Sequence, residues 1–280
     1  MSARLLLGDA FRLARQHFRK ALLTGALLTL ASKLIFICSR LLEINVDAIP
    51  HEFLAWLVYL LGTFLTAQFA FNVHRFAILE RKSFLFATGK VFWLFFAAVV
   101  VIDLAFFIPK QLLGDVIFWH IWDDDPRVLL GQQIQWRSAI SMGIDIAVLF
   151  LFAWLLVIPA YIVAQQKLGL RTSFPIGRKM HFQVAFGIVC LQLLAAVIVT
   201  GVTYVGWGIS SAIVSPIAFD DIKLFSSVNI VVQNLLLAPI SFFTVLLGAT
   251  FTSAAYLRGI AAYRGAASEF TDGSQTTLLL

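Results

Sequence analysis

The chain has 280 residues, 60% of them hydrophobic and 13% charged, with a mean hydropathy of +0.91. Soluble globular chains carry about 25% charged residues, so this composition excludes a water-soluble domain as the main body. The formal charge of +6 does not point to nucleic acid, because thirteen of the 21 basic residues fall in three short segments alternating with apolar stretches.

The first basic segment holds Arg4, Arg12, Arg15, Arg19 and Lys20 against the single acid Asp9. Leu7, Phe11, Ala14, Phe18 and Ala21 recur at helical spacing and form one apolar stripe, while Arg12, Arg15, Arg19 and Gln16 project elsewhere. A cationic helix of this kind is expected to lie in the headgroup layer. An apolar run over 21–39 follows with no A-x-A site behind it, so it is expected to stay as a first membrane span rather than be cleaved. Further apolar runs occupy 53–73, 91–109, 139–164, 184–208 and 228–257. Each approaches or exceeds the roughly 20 residues that carry a helix across a hydrocarbon core of about 30 Å.

The connections alternate in charge. After the second run come Arg75, Arg81, Lys82 and Lys90 against Glu80, and after the fourth Lys167, Arg171, Arg178 and Lys179 against no acid. The first, third and fifth connections are net acidic, carrying Glu43, Asp47 and Glu52, then Asp115 and Asp123 to Asp125, then Asp220 and Asp221. Positive residues stay on the cytoplasmic side. The sequence therefore predicts an all-α polytopic membrane protein of six helices, arranged as three hairpins with basic amphipathic interfacial helices and both termini cytoplasmic. It predicts one transmembrane domain over 1–264 and a small, polar, flexible tail over 265–280.

The segments leading into the first, third and fifth runs resemble one another. They read DAFRLARQHFRKALL from Asp9, KSFLFATGKVFWLFF from Lys82 and TSFPIGRKMHFQVAF from Thr172. Phe11, Phe84 and Phe174 align, followed by apolar Leu13, Phe86 and Ile176, then small Ala14, Ala87 and Gly177. Ancestral triplication and a shared need for an interfacial helix are both compatible with this pattern. In the third unit Ser173 and Pro175 read as an N-cap region and an early helix position. The seven basic residues expected to touch lipid headgroups are Arg12, Arg15, Arg19, Lys20, Lys90, Arg178 and Lys179.

Ionisable residues inside spans are costly and informative. Lys33 and Asp103 each lie 13 residues past a basic residue, Lys20 and Lys90. At a rise of about 1.5 Å per residue both stand roughly 20 Å from the cytoplasmic boundary. Asp145 lies seven residues inward from Ser138, or about 10 Å below the opposite surface. The three charges are thus expected at nearly one depth, where a salt bridge, a proton or cation route, or snorkelling to the surface would each accommodate them. Gln68, Asn72, Gln192, Gln233 and Asn234 are expected in hydrogen bonds between helices. Pro159 and Pro239 are positioned to kink the fourth and sixth spans.

No sequence signature of catalysis or zinc binding occurs. His120 with Asp123 to Asp125 reads as a solvated acidic turn rather than a metal site, and no cofactor is expected. Two cysteines cannot build a disulfide framework, and Cys38 and Cys190 read as packing residues.

Three stretches carry a family resemblance: HRFAILERKSF from His74 to Phe84, LLVIPAYIVAQQKLGLRTSFPIGRKMHF from Leu155 to Phe182, and AAYLRGIAAYRG from Ala254 to Gly265. In these the chain resembles poorly characterised bacterial six-span membrane proteins related to the membrane domain attached to some glycerophosphodiester phosphodiesterases. The resemblance implies a multi-pass protein of the bacterial inner membrane. It carries over no hydrolase activity and no functional residue, since no phosphodiesterase domain stands in this sequence. The expected function is non-enzymatic: lipid or envelope organisation, or an accessory role beside other membrane proteins, with anionic lipid headgroups as partners. The alternative is a small-solute or ion transporter or channel built on Lys33, Asp103 and Asp145.

Overall fold

The computed structural model describes residues 3–45, 51–80, 86–122, 142–214 and 222–271. Every regular element among them is helical: α1 (Ala3–Asn45), α2 (His51–Leu79), α3 (Lys90–Trp122), α4 (142–152), a 3-10 turn (Ala153–Val157), α5 (Ile158–Gln165), α6 (Leu170–Val214) and α7 (Ile222–Thr271). Six stretches among the described residues are long and apolar enough to cross a membrane: Ala3–Leu42, Phe53–Leu79, Lys90–Leu113, Met142–Gln165, Leu170–Val214 and Leu224–Tyr263. The protein is an all-α, multi-pass membrane protein.

The basic segments of the first and third units are not separate elements, as the sequence reading had them. They are the opening turns of α1 and α6, uninterrupted helices of 43 and 45 residues. The reason lies in their contacts. Leu6, Ala10, Ala14, His17 and Ala21 form a buried stripe on α1, while Phe11, on the stripe expected to face lipid, is not covered by protein. Leu6 and Ala10 pack with Ile176 and Met180 of α6 and with Tyr256 of α7. A face already covered by protein gives the backbone no cause to break at Lys20. At about 1.5 Å per residue α1 is roughly 65 Å long, about twice the hydrocarbon thickness. In the second unit residues 86–89 are not helical.

Three antiparallel hairpins make up the bundle. Within the first, Gly25 meets Phe69 and His17 stacks on Phe76. In the second, Phe106 meets Phe152 and Lys110 pairs with Asp145. In the third, Gly187 meets Phe251 and Gly206 meets Gln233. The returning helices α2, α5 and α7 touch one another in every pairing. Each leading helix sits between two of them: α1 on α2 and α7, α3 on α2 and α5, and α6 on α7 and the 3-10 turn with α5. That three-part arrangement matches the threefold repeat read from the leading segments. The aligned small residues Ala14, Ala87 and Gly177 are all buried in it.

We call the end where α1 begins and α7 finishes the basic end, and the opposite end the far end. Asp9 of α1 and Arg258 of α7 form an ion pair there. Lipid is as apolar as leucine, so helices in a bilayer associate through close packing and hydrogen bonds rather than the hydrophobic effect. The basic-end half shows both. A Cβ on Gly177 would collide with the Trp154 carbonyl oxygen, and one on Gly187 with the Phe251 ring. Gln68, fully buried, clamps the Ala87 peptide on both sides: its Nε2 donates to the Ala87 carbonyl at 2.9 Å and its Oε1 accepts from the Ala87 N–H at 2.8 Å.

Prolines punctuate the helices differently from the expectation. Pro159, expected to kink the fourth span, follows a 3-10 turn that interrupts its α-helix: the Ile158 N–H bonds Leu155, whose oxygen the missing Pro159 N–H cannot reach. Pro109 and Pro175, read as a span end and a first turn, lie inside α3 and α6. The opening of α6 is set by the Gly169 carbonyl, which accepts from Thr172 and Ser173, so Ser173 is not its cap. Left-handed Glu80 and Gln166, at φ 54° and 56°, follow the last turns of α2 and α5. The helix α7 runs to Thr271, past the predicted start of a flexible tail at 265.

Candidate functional site

The three intramembrane charges do not form one cluster. Asp145 pairs with Lys110 at 2.8 Å, with the two side chains 42% and 43% exposed. Lys110 lies seven residues along α3 from Asp103, so Asp145 stands about 10 Å nearer the far end than Asp103. The sequence ruler, laid from Ser138, put it too deep: the described helix α4 opens at 142, three residues before Asp145, and its partner Lys110 lies past Pro109 on α3.

Asp103 and Lys33 line neighbouring chambers rather than meeting. Asp103 lines a cavity of about 490 Å³ between α1, α2 and α3, whose other polar walls are Ser32, Ser39, Arg40, Tyr59, Thr63 and Thr66. The Tyr59 hydroxyl hydrogen-bonds both the Asp103 carboxylate and Thr63. Lys33 lines a smaller chamber of about 140 Å³ that shares Ser32 and Thr66 with the first. Among the described residues no carboxylate lies within ion-pair distance of Lys33, so the expected Lys33–Asp103 salt bridge is absent. The small chamber is otherwise walled by Thr29 and Ser241 together with Leu28, Leu65, Phe69 and Val245. Beyond it Phe69 stacks on Phe242 with ring centres 5.2 Å apart, and both rings crowd Gly25. The polar path from the far end therefore stops at an aromatic plug.

A second cavity is of the opposite kind. About 730 Å³ of cleft runs between α3, the 3-10 turn and the start of α6, lined by Leu94, Ala98, Val101, Trp154, Leu155, Ile158 and Phe174. Its one charged wall is Arg171. At the start of α3, Arg75, Lys90, Thr88 and Gln166 line a space of about 400 Å³. The predicted headgroup residues Arg12, Arg15, Arg19, Lys20, Lys90, Arg178 and Lys179 are all exposed. Lys179 also donates to the Ala262 carbonyl at 3.5 Å and stands 5.5 Å over the Tyr263 ring.

The remaining buried polar groups are structural in geometry. Ser253 spends its hydroxyl hydrogen on the Ala249 carbonyl at 2.8 Å, so the contact of 2.7 Å to His74 requires His74 to donate from Nδ1. His17 is buried against Phe76, and its Nδ1 has no hydrogen-bond partner among the described residues. Gln68 bridges segments as expected, but Gln233 and Asn234 bond within their own helix, to Asn229 and Ile230. Cys38 is exposed and Cys190 half-buried, so Cys38 is not a packing residue. Among the described residues no group of three His, Cys, Asp or Glu side chains is placed to hold a metal ion. Asp123 to Asp125 lie outside the described residues, and so does the side chain of His120.

Sequence reading missed Tyr59, Thr63 and Arg40 as cavity walls and used Arg171 only as an orientation charge. Tyr59 and Thr63 are four apart and face Asp103 from one side of α2, a pairing visible only once α2 and α3 are docked. No family model matches the chain, and neither a curated protein nor a solved structure matches it.

Proposed function

We propose that this chain is a non-enzymatic lipid-organising module of the bacterial inner membrane, with its basic end in the cytoplasm. The observation that carries this reading is the apolar cleft of about 730 Å³ whose one charged lining residue is Arg171. Its size falls in the range of ligand sites, about 300–1,000 Å³, and its lining is that of an acyl-chain site. A cation at the end of an apolar groove complements an anionic headgroup with its chain in the groove. Exposed Arg178, Lys179 and Lys90 add positive potential at the same end, where anionic lipids of the cytoplasmic leaflet gather. The charge alternation along the chain supports the orientation, and the family resemblance supports the inner-membrane location.

Lipid analysis of the full chain purified in mild detergent tests the proposal. Phosphatidylglycerol or cardiolipin should co-purify above its share of the membrane. Filling the cleft with Ala98→Trp, or removing the cation with Arg171→Ala, should lower that enrichment severalfold. Equal lipid profiles in the wild type, both variants and the bulk membrane would overturn it.

A further inference from the structure

From the geometry we propose that the far-end cavity between α1, α2 and α3 is a recognition site for a small zwitterion whose ammonium group carries N–H hydrogens. It uses different residues from the lipid cleft and stands independently of that reading. The cavity opens beside Arg40 and Ala55, near the end of α1 and the start of α2. It closes at Ser32 and Thr66, eight residues deeper on α1, or about 12 Å. A crevice of this depth that reaches the hairpin end is filled from the aqueous side.

Its chemistry is paired. Asp103 presents a carboxylate whose neighbours are hydroxyls rather than a cation, since its hydrogen-bond partner is Tyr59 and Tyr59 is held in turn by Thr63. An uncompensated carboxylate in a partly buried site is satisfied by a positive donor. An ammonium there donates to Asp103, while the Tyr59 and Thr63 oxygens complete its shell. Two cations flank that point along α1: Arg40 at the mouth, and Lys33 behind the shared wall of Ser32 and Thr66. Arg40 is already engaged, lying 5.2 Å over the Phe36 ring, and with Lys33 it places positive charge beside the anionic part of the same ligand. A plain cation would gain Asp103 but face both positive charges, and a plain anion would be repelled by Asp103. A zwitterion satisfies both, and about 490 Å³ holds one of amino-acid or headgroup size. The aromatic plug below Lys33 makes the site a dead-ended pocket rather than a pore.

The ligand chemistry has two sources, a free solute or the headgroup of a zwitterionic lipid, and the test separates them. Full-length protein in detergent is titrated by calorimetry with glycine, with glycine betaine, and with short-chain phosphatidylethanolamine and phosphatidylcholine. The N–H-bearing member of at least one pair should bind about tenfold more tightly than its trimethylated counterpart, the size of one charge-assisted hydrogen bond. The solute pair showing it identifies a free ligand, and the lipid pair a headgroup. Asp103→Asn should abolish the selectivity, and Tyr59→Phe, which keeps the ring, should reduce it in a protein that still melts cooperatively. No binding by any of the four, equal binding within both pairs, or selectivity that survives in both variants would each overturn the proposal.

Discussion

The two halves of this bundle are held together by different means. Around the basic end, glycines let helices touch backbone or ring directly, and Gln68, His74, Asp9 and Arg258 cross-link elements by hydrogen bonds and charge. Toward the far end α6 keeps Gly206, Ser210 and Val214 buried but leaves Val197 and Tyr204 72% and 74% exposed, and α1, α2 and α3 part around the cavity that Asp103 lines. In a bilayer, exposure of apolar side chains costs nothing, so the far half does not need filling to be stable. The packed half sets the fold, and the open half is free to carry ligand chemistry.

This contrast predicts a gradient of mutational effects, measured as thermal or denaturant stability in detergent. Gly177→Val should be the most damaging, at about 3 kcal/mol, because the new side chain meets the Trp154 backbone rather than a movable side-chain tip. Gln68→Leu keeps the bulk but strands the Ala87 N–H and C=O, and should cost about 2 kcal/mol. If Gln68→Leu melted like the wild type, the clamp would not be holding the start of α3.

Further out the effects should shrink. Lys110→Met should cost less than about 1 kcal/mol, since both members of the Lys110–Asp145 pair are more than a third exposed. Lys33→Met and Asp103→Asn should combine additively to within about 0.5 kcal/mol, because the two side chains line separate chambers. A larger coupling would restore the direct ion pair. Tyr204→Ala, on the exposed face of α6, should change stability by less than about 0.5 kcal/mol.

Much of the fold was legible because hydropathy and charge alternation are one-dimensional signals. Span length and loop charge are read along the chain, and they gave the six crossings and the grouping of hairpins. What was not legible depends on which helix faces which. The stripe Leu7, Phe11, Ala14 and Phe18 is a good amphipathic pattern, yet the covered face is Leu6, Ala10, Ala14 and His17. Both stripes are available to an α-helix, and the docking of α6 and α7 decides between them. Depth failed for Asp145 for a related reason: a ruler laid from a span end is only as good as that end, and Ser138, where this one began, lies outside the described helix, which opens at 142. Lys33 and Asp103 were found together at one depth, but depth alone does not say that Ser32 and Thr66 stand between their chambers. The site at Arg171 was invisible because the groove belongs to three elements far apart in sequence.

The most direct test of a lipid-organising function is a structure of the full chain in nanodiscs containing phosphatidylglycerol. The account predicts an acyl chain ordered in the cleft between α3 and the 3-10 turn, with its headgroup against Arg171. Lipid density distributed evenly around the bundle, with this cleft no better occupied than the exposed face of α6, would contradict it.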